Sequence, residues 1–286
     1  MNASTQIISQ QIEWARNRGI HLTGSRGSRG LEVYTTTLED NLFQPLSEAT
    51  REELSGGDGG ELKSAPGQPA KIQALHSSSA LGVNVFDYWR GKKDLSILTA
   101  ACGLTAAGHE VAGEIRFEQK FSIDVRFRYA PNLDVLIYPQ SSTYAAFGIE
   151  CKFTEPYSSR GHGGLDSKYL GNDAAWQHLS HTRELAQKIS PIDTGFKHLH
   201  AAQLIKHILG LNRRFGHRRY RLLYLWYDAL GEPGSKQRQE IDAFSAIARA
   251  DGVIFHQTSY QELILRLAKH RESHPDYLAY LTGRYL

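Results

Sequence analysis

Cysteine is scarce in this chain, which has only Cys102 and Cys151 among its 286 residues. Two cysteines this far apart give neither a disulfide framework nor a thiolate zinc site, and they fit a reducing compartment. No stretch approaches the roughly 18 consecutive apolar residues that a membrane span needs. The first residues, MNASTQIISQQIEWARN, show no basic start followed by an apolar run. We therefore expect no signal peptide, no membrane association and a cytoplasmic location.

A large excess of charge of one sign is also missing. The 33 basic residues outnumber the 30 acidic ones by three, which is weak evidence for any partner. With 41% hydrophobic and 22% charged residues, the composition is that of a globular protein able to bury a sizeable core.

The basic residues that are present cluster. Residues 213–221, RRFGHRRYR, hold five arginines and one histidine, and residues 24–30, GSRGSRG, form a second basic stretch. Arginine offers fixed donors that match phosphate oxygens, although an ordinary solvated surface is the alternative interpretation. The candidate DNA-binding residues are Arg213, Arg214, Arg218 and Arg219.

Hydrophobic periodicity divides the chain into three parts. Residues 1–54 predict a mainly helical N-terminal extension, with one helix over 5–18 and a further short helix or two, broken at Pro45, over 38–54. Residues 55–74 begin with a Gly-, Pro- and Ser-rich stretch, which predicts a linker or loop.

Residues 75–286 predict an α/β domain. Helices are predicted over residues 77–90, 172–189, 197–215, 236–249 and 259–271. Strands are predicted over residues 114–127 (as one long strand or a hairpin), 133–139, 144–153, 221–229 and 252–257. The order of helix, three strands, helix and strand predicts an α/β sandwich around a mixed central sheet flanked by helices.

Two carboxylates and a lysine lie on the central pair of predicted strands. Strand side chains alternate between faces, so Glu150 and Lys152 point one way and Cys151 the other. If the two strands pair through the turn at residues 140–143, QSST, Asp134 lies beside Glu150. Converging carboxylates repel each other unless a cation lies between them, and oxygen ligands suit Mg²⁺. Beside that metal, a lysine can hold or help deprotonate a water and stabilise phosphate charge.

The bare spacing of this triad is not specific. An aspartate followed by Glu-x-Lys occurs twice more, at residues 61–63 and 118–120. The first repeat falls in the Gly- and Pro-rich segment, and the aspartate of the second lies outside any predicted strand. Only Asp134, Glu150 and Lys152 lie on two apolar strands joined by a short turn. An ion pair at the sheet edge is the alternative interpretation.

The sequence around this triad resembles a known family. Residues 131–157, PNLDVLIYPQSSTYAAFGIECKFTEPY, are similar to the core of a bacterial family of restriction endonucleases in the PD-(D/E)XK superfamily. There an Asn-Leu-Asp strand precedes Ile-Glu-x-Lys-Phe-Thr-Glu-Pro-Tyr. Residues 75–89, 203–211 and 222–228 are similar as well, so the resemblance spans about 75–230. The superfamily's usual proline directly before the aspartate is absent, since Pro131 lies three residues earlier.

The resemblance implies the αβββαβ core of restriction endonucleases and hydrolysis of phosphodiester bonds with Mg²⁺, for which Mn²⁺ would substitute. By motif position, Asp134, Glu150 and the backbone carbonyl of Cys151 would bind the metal, and Lys152 would activate the attacking water. Glu118 is a candidate further ligand, because many members of the superfamily carry a glutamate upstream of the aspartate.

Three more residues are candidates for ordering the metal surroundings or contacting phosphate. Glu155 and Tyr157 follow the lysine in the recognisable motif, and a structural role for this turn is the alternative. Gln203 lies one turn before His207 on the helix predicted over 197–215, where it can orient a water or a phosphate. Its alternative role is helix packing or ordinary surface.

We therefore predict a Mg²⁺-dependent endonuclease of double-stranded DNA with a restriction or defence role. We expect DNA as the partner, and a homodimer is one possible assembly. One alternative is a DNA-binding module that has lost catalysis on a nuclease-like fold. Another is a nuclease for RNA or for branched or damaged DNA, since fold does not choose among substrates.

Overall fold

The computed structural model describes residues 2–25, 30–109, 111–140 and 142–286. Arg26 and Arg29 of the GSRGSRG stretch and Ser141 of the predicted turn lie outside the described residues. The strands are Leu22–Gly24 (β1), Glu32–Thr35 (β2), Gly113–Lys120 (β3), Asn132–Pro139 (β4), Ala146–Lys152 (β5), Tyr220–Trp226 (β6) and Phe255–Ser259 (β7). The α-helices are Ala3–Asn17 (α1), Glu48–Gly56 (α2), Ser78–Phe86 (α3), Leu95–Ala101 (α4), Ser167–Leu170 (α5), Ser180–Lys188 (α6), Ala201–Phe215 (α7), Gly231–Ala250 (α8), Tyr260–Leu267 (α9) and Pro275–Tyr285 (α10).

A mixed sheet in the order β3-β4-β5-β6-β7 forms the centre of the protein. The strands β3, β4 and β5 pair antiparallel, whereas β5, β6 and β7 pair parallel. The continuous apolar run of β6 suits this interior position, because a parallel strand is covered on both faces. The predicted α/β class, with a mixed central sheet flanked by helices, is confirmed.

Each face of the sheet carries its own hydrophobic core. Phe147, Ile149 and Cys151 of β5 pack on one face with residues of α1, α3, α4, α9 and α10. Ala146 and Leu222 pack on the other face with residues of α6, α7 and α8. Within the described ranges, no helix is long and apolar enough to cross a membrane.

The N-terminal helix packs against the C-terminal one. The Arg284 Nε–H donates to Gln11 Oε1, and the Gln11 side-chain amide donates to the Arg284 carbonyl, both at 3.0 Å. In addition, α2 runs past the boundary drawn at residue 54, and Ile72 is fully buried in the shared core. The division into 1–54, 55–74 and 75–286 stays a prediction about folding units.

Three predicted elements differ in the structure. The strand or hairpin over 114–127 is wrong beyond residue 120, because residues 121–131 form a loop. The helix over 172–189 is divided into a short 3-10 helix at Asp173–Trp176 and α6, with His178 between them at a φ of 65°. The strand predicted over 221–229 ends at Trp226. Two residues later, the Asp228 N–H donates to the Gln261 side-chain oxygen and the Asp228 carbonyl accepts from the Gln261 side-chain amide, so both backbone groups bond a side chain instead of a strand.

Candidate active site

Asp134 and Glu150 occupy neighbouring antiparallel strands. The pairing of Val135 with Ile149 puts the next position of β4, Asp134, opposite Glu150 on β5. Asp134 Oδ2 accepts a hydrogen bond of 2.7 Å from the Cys151 backbone N–H. The structure thus brings the two carboxylates together at the same end of the sheet, next to the Cys151 peptide.

Glu150 is fully buried and has a basic side chain at each carboxylate oxygen. Lys152 Nζ donates to Oε1 at 2.6 Å, and His207 Nε2 of α7 lies 2.9 Å from Oε2. Burial alone would raise the pKa of Glu150, but Lys152 and His207 outweigh it and lower the pKa to about 2. The carboxylate is therefore ionised at neutral pH, in a place where an unpaired charge would be costly.

Asp134 has the opposite electrostatics. Burial and the negative charge of Glu150 raise the pKa of Asp134 well above its ordinary value, against the opposing effect of Lys152. Ionisation of both carboxylates at the same time is therefore unfavourable without a further positive charge. A divalent cation between them would supply that charge and favour the ionised form of Asp134.

The sheet is distorted at the level of these carboxylates. Leu133 packs in the core on one face and Val135 in the core on the other, although residues two apart in a regular strand share a face. Across from Asp134, Glu118 of β3 has a φ of 54°, in the left-handed region that non-glycine residues rarely adopt. Such irregularities re-aim side chains next to functional sites.

Glu118 belongs to the same acidic group. Its carboxylate accepts a hydrogen bond from the Asn132 side-chain amide. Burial raises the pKa of Glu118, this hydrogen bond lowers it, and the charges of Glu61 and Glu150 raise it further, to about 7. Gly57 at the end of α2 packs so close that an added Cβ would lie 2.7 Å from Glu118 Oε2. Glu118 is therefore a third carboxylate in this region, and the negative charge of Glu150 raises its pKa.

The donor set of this site fits Mg²⁺. Among the described residues there is no group of three or more His, Cys, Asp or Glu side chains arranged to hold a metal. Mg²⁺ keeps several waters and needs only one or two carboxylates plus a substrate phosphate, whereas a structural zinc site needs four protein ligands. Asp134 and Glu150 supply such carboxylates, and the buried Glu150 Oε2 has no aligned hydrogen bond within the described ranges.

Comparison with family models shows to which protein family the chain belongs. The model described as Restriction Endonuclease associating with ARP matches residues 9–286. The chain belongs to this family. Comparison with curated proteins and with solved structures finds no match. Membership of a restriction endonuclease family supports a nuclease with a defence-related role and an interaction with DNA.

The loop after β5 holds two of the candidate residues in this endonuclease. Tyr157 is buried; its hydroxyl donates to the Tyr227 carbonyl at 2.7 Å and accepts from the Ala229 N–H at 3.1 Å. These bonds tie the loop to the end of β6, which favours the structural alternative for Tyr157. Glu155 accepts from the Phe153 N–H at 2.8 Å and is exposed, so it remains free to order water near Lys152.

Sequence reasoning put the emphasis on Gln203, but the side chain of α7 that reaches the carboxylates is His207. Gln203 lies in the first turn, where its backbone N–H donates to His200 Nδ1 at 3.0 Å. His207 follows one turn later and contacts Glu150 directly. The signal was the i, i+4 spacing, because both residues then lie on one face of the helix.

The four candidate arginines do not converge on the carboxylates. They are exposed, and the register of β5 with β6 pairs Ala146 with Tyr220 and Lys152 with Trp226. Arg218 and Arg219 precede Tyr220 and so lie about 20 Å from Lys152, six residues along a strand. Arg218 and Arg219 therefore belong to a part of the surface distant from the carboxylates, whereas Arg213 donates to Ser122 in the loop after β3. Contact of the four arginines with DNA stays a prediction.

Proposed function

We propose that this endonuclease hydrolyses phosphodiester bonds of double-stranded DNA with Mg²⁺, through a PD-(D/E)XK centre formed by Asp134, Glu150 and Lys152. One observation carries the proposal. Two carboxylates from adjacent strands converge at one end of the sheet, and the ammonium of Lys152 lies 2.6 Å from one of them. This combination of two acids and one lysine is suited to phosphoryl transfer chemistry.

The metal would be held by oxygen atoms of Asp134, of Glu150 and of the Cys151 carbonyl. Bound there, Mg²⁺ or Mn²⁺ would supply positive charge to the phosphate oxygens and lower the pKa of water. Glu118 lies within electrostatic reach of Glu150 and would add negative charge that strengthens cation binding. The Cys151 N–H, which donates to Asp134, fixes the orientation of that carboxylate.

Lys152 would act as a cation. Burial opposes its charge, but Glu150 and Asp134 outweigh burial and raise the pKa of Lys152 above its ordinary value. A lysine that keeps its proton donates hydrogen bonds, so it can hold a water or a phosphate oxygen and stabilise the negative charge of the transition state. The charge state thus favours this electrostatic role over that of a general base.

One observation favours the inactive DNA-binding module. Both oxygens of Glu150 already have basic partners, Lys152 and His207, so the group could serve as a buried ion-pair network that only stabilises the fold. The two functions make different demands on the carboxylates. Catalysis requires that they bind a cation, and a structural network does not.

The test is a cleavage assay on plasmid, linear duplex, branched duplex, single-stranded DNA and RNA in Mg²⁺, Mn²⁺, Ca²⁺ or EDTA. We expect duplex cleavage in Mg²⁺ and Mn²⁺, none in EDTA, and none for Glu150→Gln. Glu114→Gln is the matched control, because Glu114 is an exposed glutamate of β3 paired with Arg116. Undiminished cutting in EDTA would overturn the proposal. Cleavage confined to RNA would overturn its substrate, and duplex binding without cleavage in either metal would favour the binding module.

A further inference from the structure

We propose that residues 121–131, the β3–β4 loop, are the part of this endonuclease that inserts into a groove of duplex DNA. The inference rests on the proposed function, since it assumes a DNA partner, and it names the surface that contacts it. The loop leaves the sheet after the pair Lys120–Asn132 and returns two residues before Asp134. The loop therefore begins and ends at the end of the sheet that carries the carboxylates. Its first half, from Phe121 to Val125, runs along the C-terminal half of α7, where Ser122 accepts a hydrogen bond from Arg213.

The base of the loop is firmly anchored. Phe121 packs against α7, where an added Cβ at Gly210 would lie 2.7 Å from the Phe121 carbonyl oxygen. Asp124 accepts a hydrogen bond of 2.9 Å from the Asn172 side chain. The ring of Phe127 meets that of Tyr169 edge to face at 4.9 Å. A loop fixed in this way presents its remaining side chains in a defined position, which reduces the entropy lost on binding.

The side chains between these anchors point to solvent. Val125 is 84% exposed and Tyr129 is 60% exposed, so both side chains are accessible to a partner. Each has an arginine as its neighbour in sequence. Arg126 is paired with Asp124 at 2.8 Å, and the Arg128 guanidinium lies 5.1 Å from the ring of Tyr129. Apolar side chains interleaved with arginines are the combination that proteins insert into DNA grooves, where the apolar group wedges between bases.

Further cations connect the loop with the carboxylates. The exposed Lys168 lies over the rings of Phe127 and Tyr169. Lys206 of α7 directly precedes His207, whose ring nitrogen lies 2.9 Å from Glu150. In the part of the chain that the structure describes, neither lysine has an acidic partner at ion-pair distance. Unpaired cations beside an exposed loop suit the phosphates on either side of a groove.

Duplex DNA fits this surface better than two other occupants. A second copy of the chain would bring the same positive charges to the interface, and like charges in contact disfavour association. Duplex RNA has a deep, narrow major groove that side chains do not enter, so a wedge such as Val125 would find no comparable site.

The experiment compares two variants with the wild type: a loop variant with three substitutions and a control variant with two. The loop variant carries Val125→Ser, Arg128→Ala and Tyr129→Ala, and the control carries Leu265→Ser and Arg271→Ala, which are exposed residues elsewhere on the surface. Binding of a fluorescent 30-base-pair duplex is measured in Ca²⁺ at several salt concentrations. We expect the loop variant to raise Kd about tenfold or more and to reduce the salt slope by about one. The control should stay within about twofold of wild type.

The outcomes separate this inference from the proposed function. Equal affinity of loop variant and control would overturn the inference while leaving metal-dependent cleavage by the wild type untouched. So would equal losses on duplex RNA, or a wild-type dimer that the loop variant dissociates in sedimentation velocity. A wild type that never cleaves but binds DNA through the loop would support the inference and overturn the proposed activity. Absence of any duplex binding by the wild type would overturn both.

Discussion

His207 Nε2 lies 2.9 Å from Glu150 Oε2, and both side chains are almost fully buried. The imidazole comes from α7 and the carboxylate from β5, so the contact joins the helix to the strand that carries the proposed catalytic pair. Lys152 holds the other oxygen. Basic side chains thus contact the carboxylate at both oxygens, in the place where outer partners of the proposed metal ligand would lie.

We expect His207→Ala to slow cleavage by about 10- to 100-fold, the usual cost of losing a partner of a metal ligand. Binding of duplex DNA in Ca²⁺ should change little, because His207 is buried and faces Glu150 rather than the surface. His207→Gln keeps a donor of similar reach and should recover part of the rate. Wild-type cleavage by the alanine variant, measured at saturating Mg²⁺ and DNA, would show that the contact serves packing alone.

Glu118→Gln tests whether the third carboxylate serves the cation. The glutamine keeps an oxygen that can accept from Asn132 but removes the negative charge near Glu150. We expect the Mg²⁺ concentration for half-maximal cleavage to rise about tenfold, with a smaller change in the maximal rate. Glu114→Gln on the same strand is the control. An unchanged Mg²⁺ dependence would mean that Glu118 is only a strand residue.

The proposed catalytic triad could be located from sequence because its geometry is local. Alternation of side chains along β5 puts Glu150 and Lys152 on one face, and a short connection brings Asp134 of β4 alongside. The order of the elements was enough to predict a mixed sheet. The shared face of Glu150 and Lys152, the position of Asp134 and the mixed sheet all follow from periodicity and short connections, which can be read from the sequence alone.

The parts that sequence reasoning missed depend on distant or unpaired residues. His207 meets Glu150 across 57 positions, and Gln11 meets Arg284 across 273. The alternating residues 121–127 resemble a strand, but in the described part of the chain the ladder between β3 and β4 ends at the pair Lys120–Asn132. Asp124 instead bonds its own neighbour Arg126 and turns the chain. Whether an alternating segment forms a strand depends on a neighbouring strand with which it can pair, and periodicity alone does not show whether one is present.

The basic run at 213–221 has two parts that we expect to differ. Arg213 donates to the Ser122 hydroxyl at 3.2 Å and so lies at the base of the β3–β4 loop. Arg218 packs against Gly252, at the far end of the sheet. Neutralising Arg213 and Arg214 should weaken binding of every duplex and flatten the salt slope by about one to two. Neutralising Arg218 and Arg219 should have a smaller effect, and equal effects would contradict this distinction.

We expect Asp251 to make a pH-dependent contribution to the free energy of unfolding. Its carboxylate accepts from the Thr182 N–H at 2.7 Å and from the His181 N–H at 3.0 Å at the start of α6. Burial raises the pKa of Asp251, but these hydrogen bonds outweigh it and lower the pKa. The folded pKa therefore lies below the unfolded value of about 3.9, so the contribution is complete above that pH and lost as pH falls through the folded pKa.

We expect Asp251→Ala to reduce the free energy of unfolding by about 1–2 kcal/mol at pH 7, the range for a lost helix cap. The difference from wild type should persist at pH 5.5 and shrink below about pH 4. Urea unfolding at a series of pH values measures it. A constant difference down to pH 3 would show that the loss comes from packing rather than from the charge.

Lys152→Met distinguishes an enzyme from a binding module. Methionine keeps much of the buried stem and removes only the ammonium that lies beside Glu150, so a cavity cannot explain the result. Duplex affinity in Ca²⁺ should stay within about threefold, whereas cleavage in Mg²⁺ should fall by about two or more orders of magnitude, the scale of a lost electrostatic group. Lys120→Met on β3 is the control, because Lys120 is paired with Asp58 at the surface. Unchanged cleavage by Lys152→Met would remove the lysine from the mechanism, and equal losses of affinity and rate would place it in DNA binding instead.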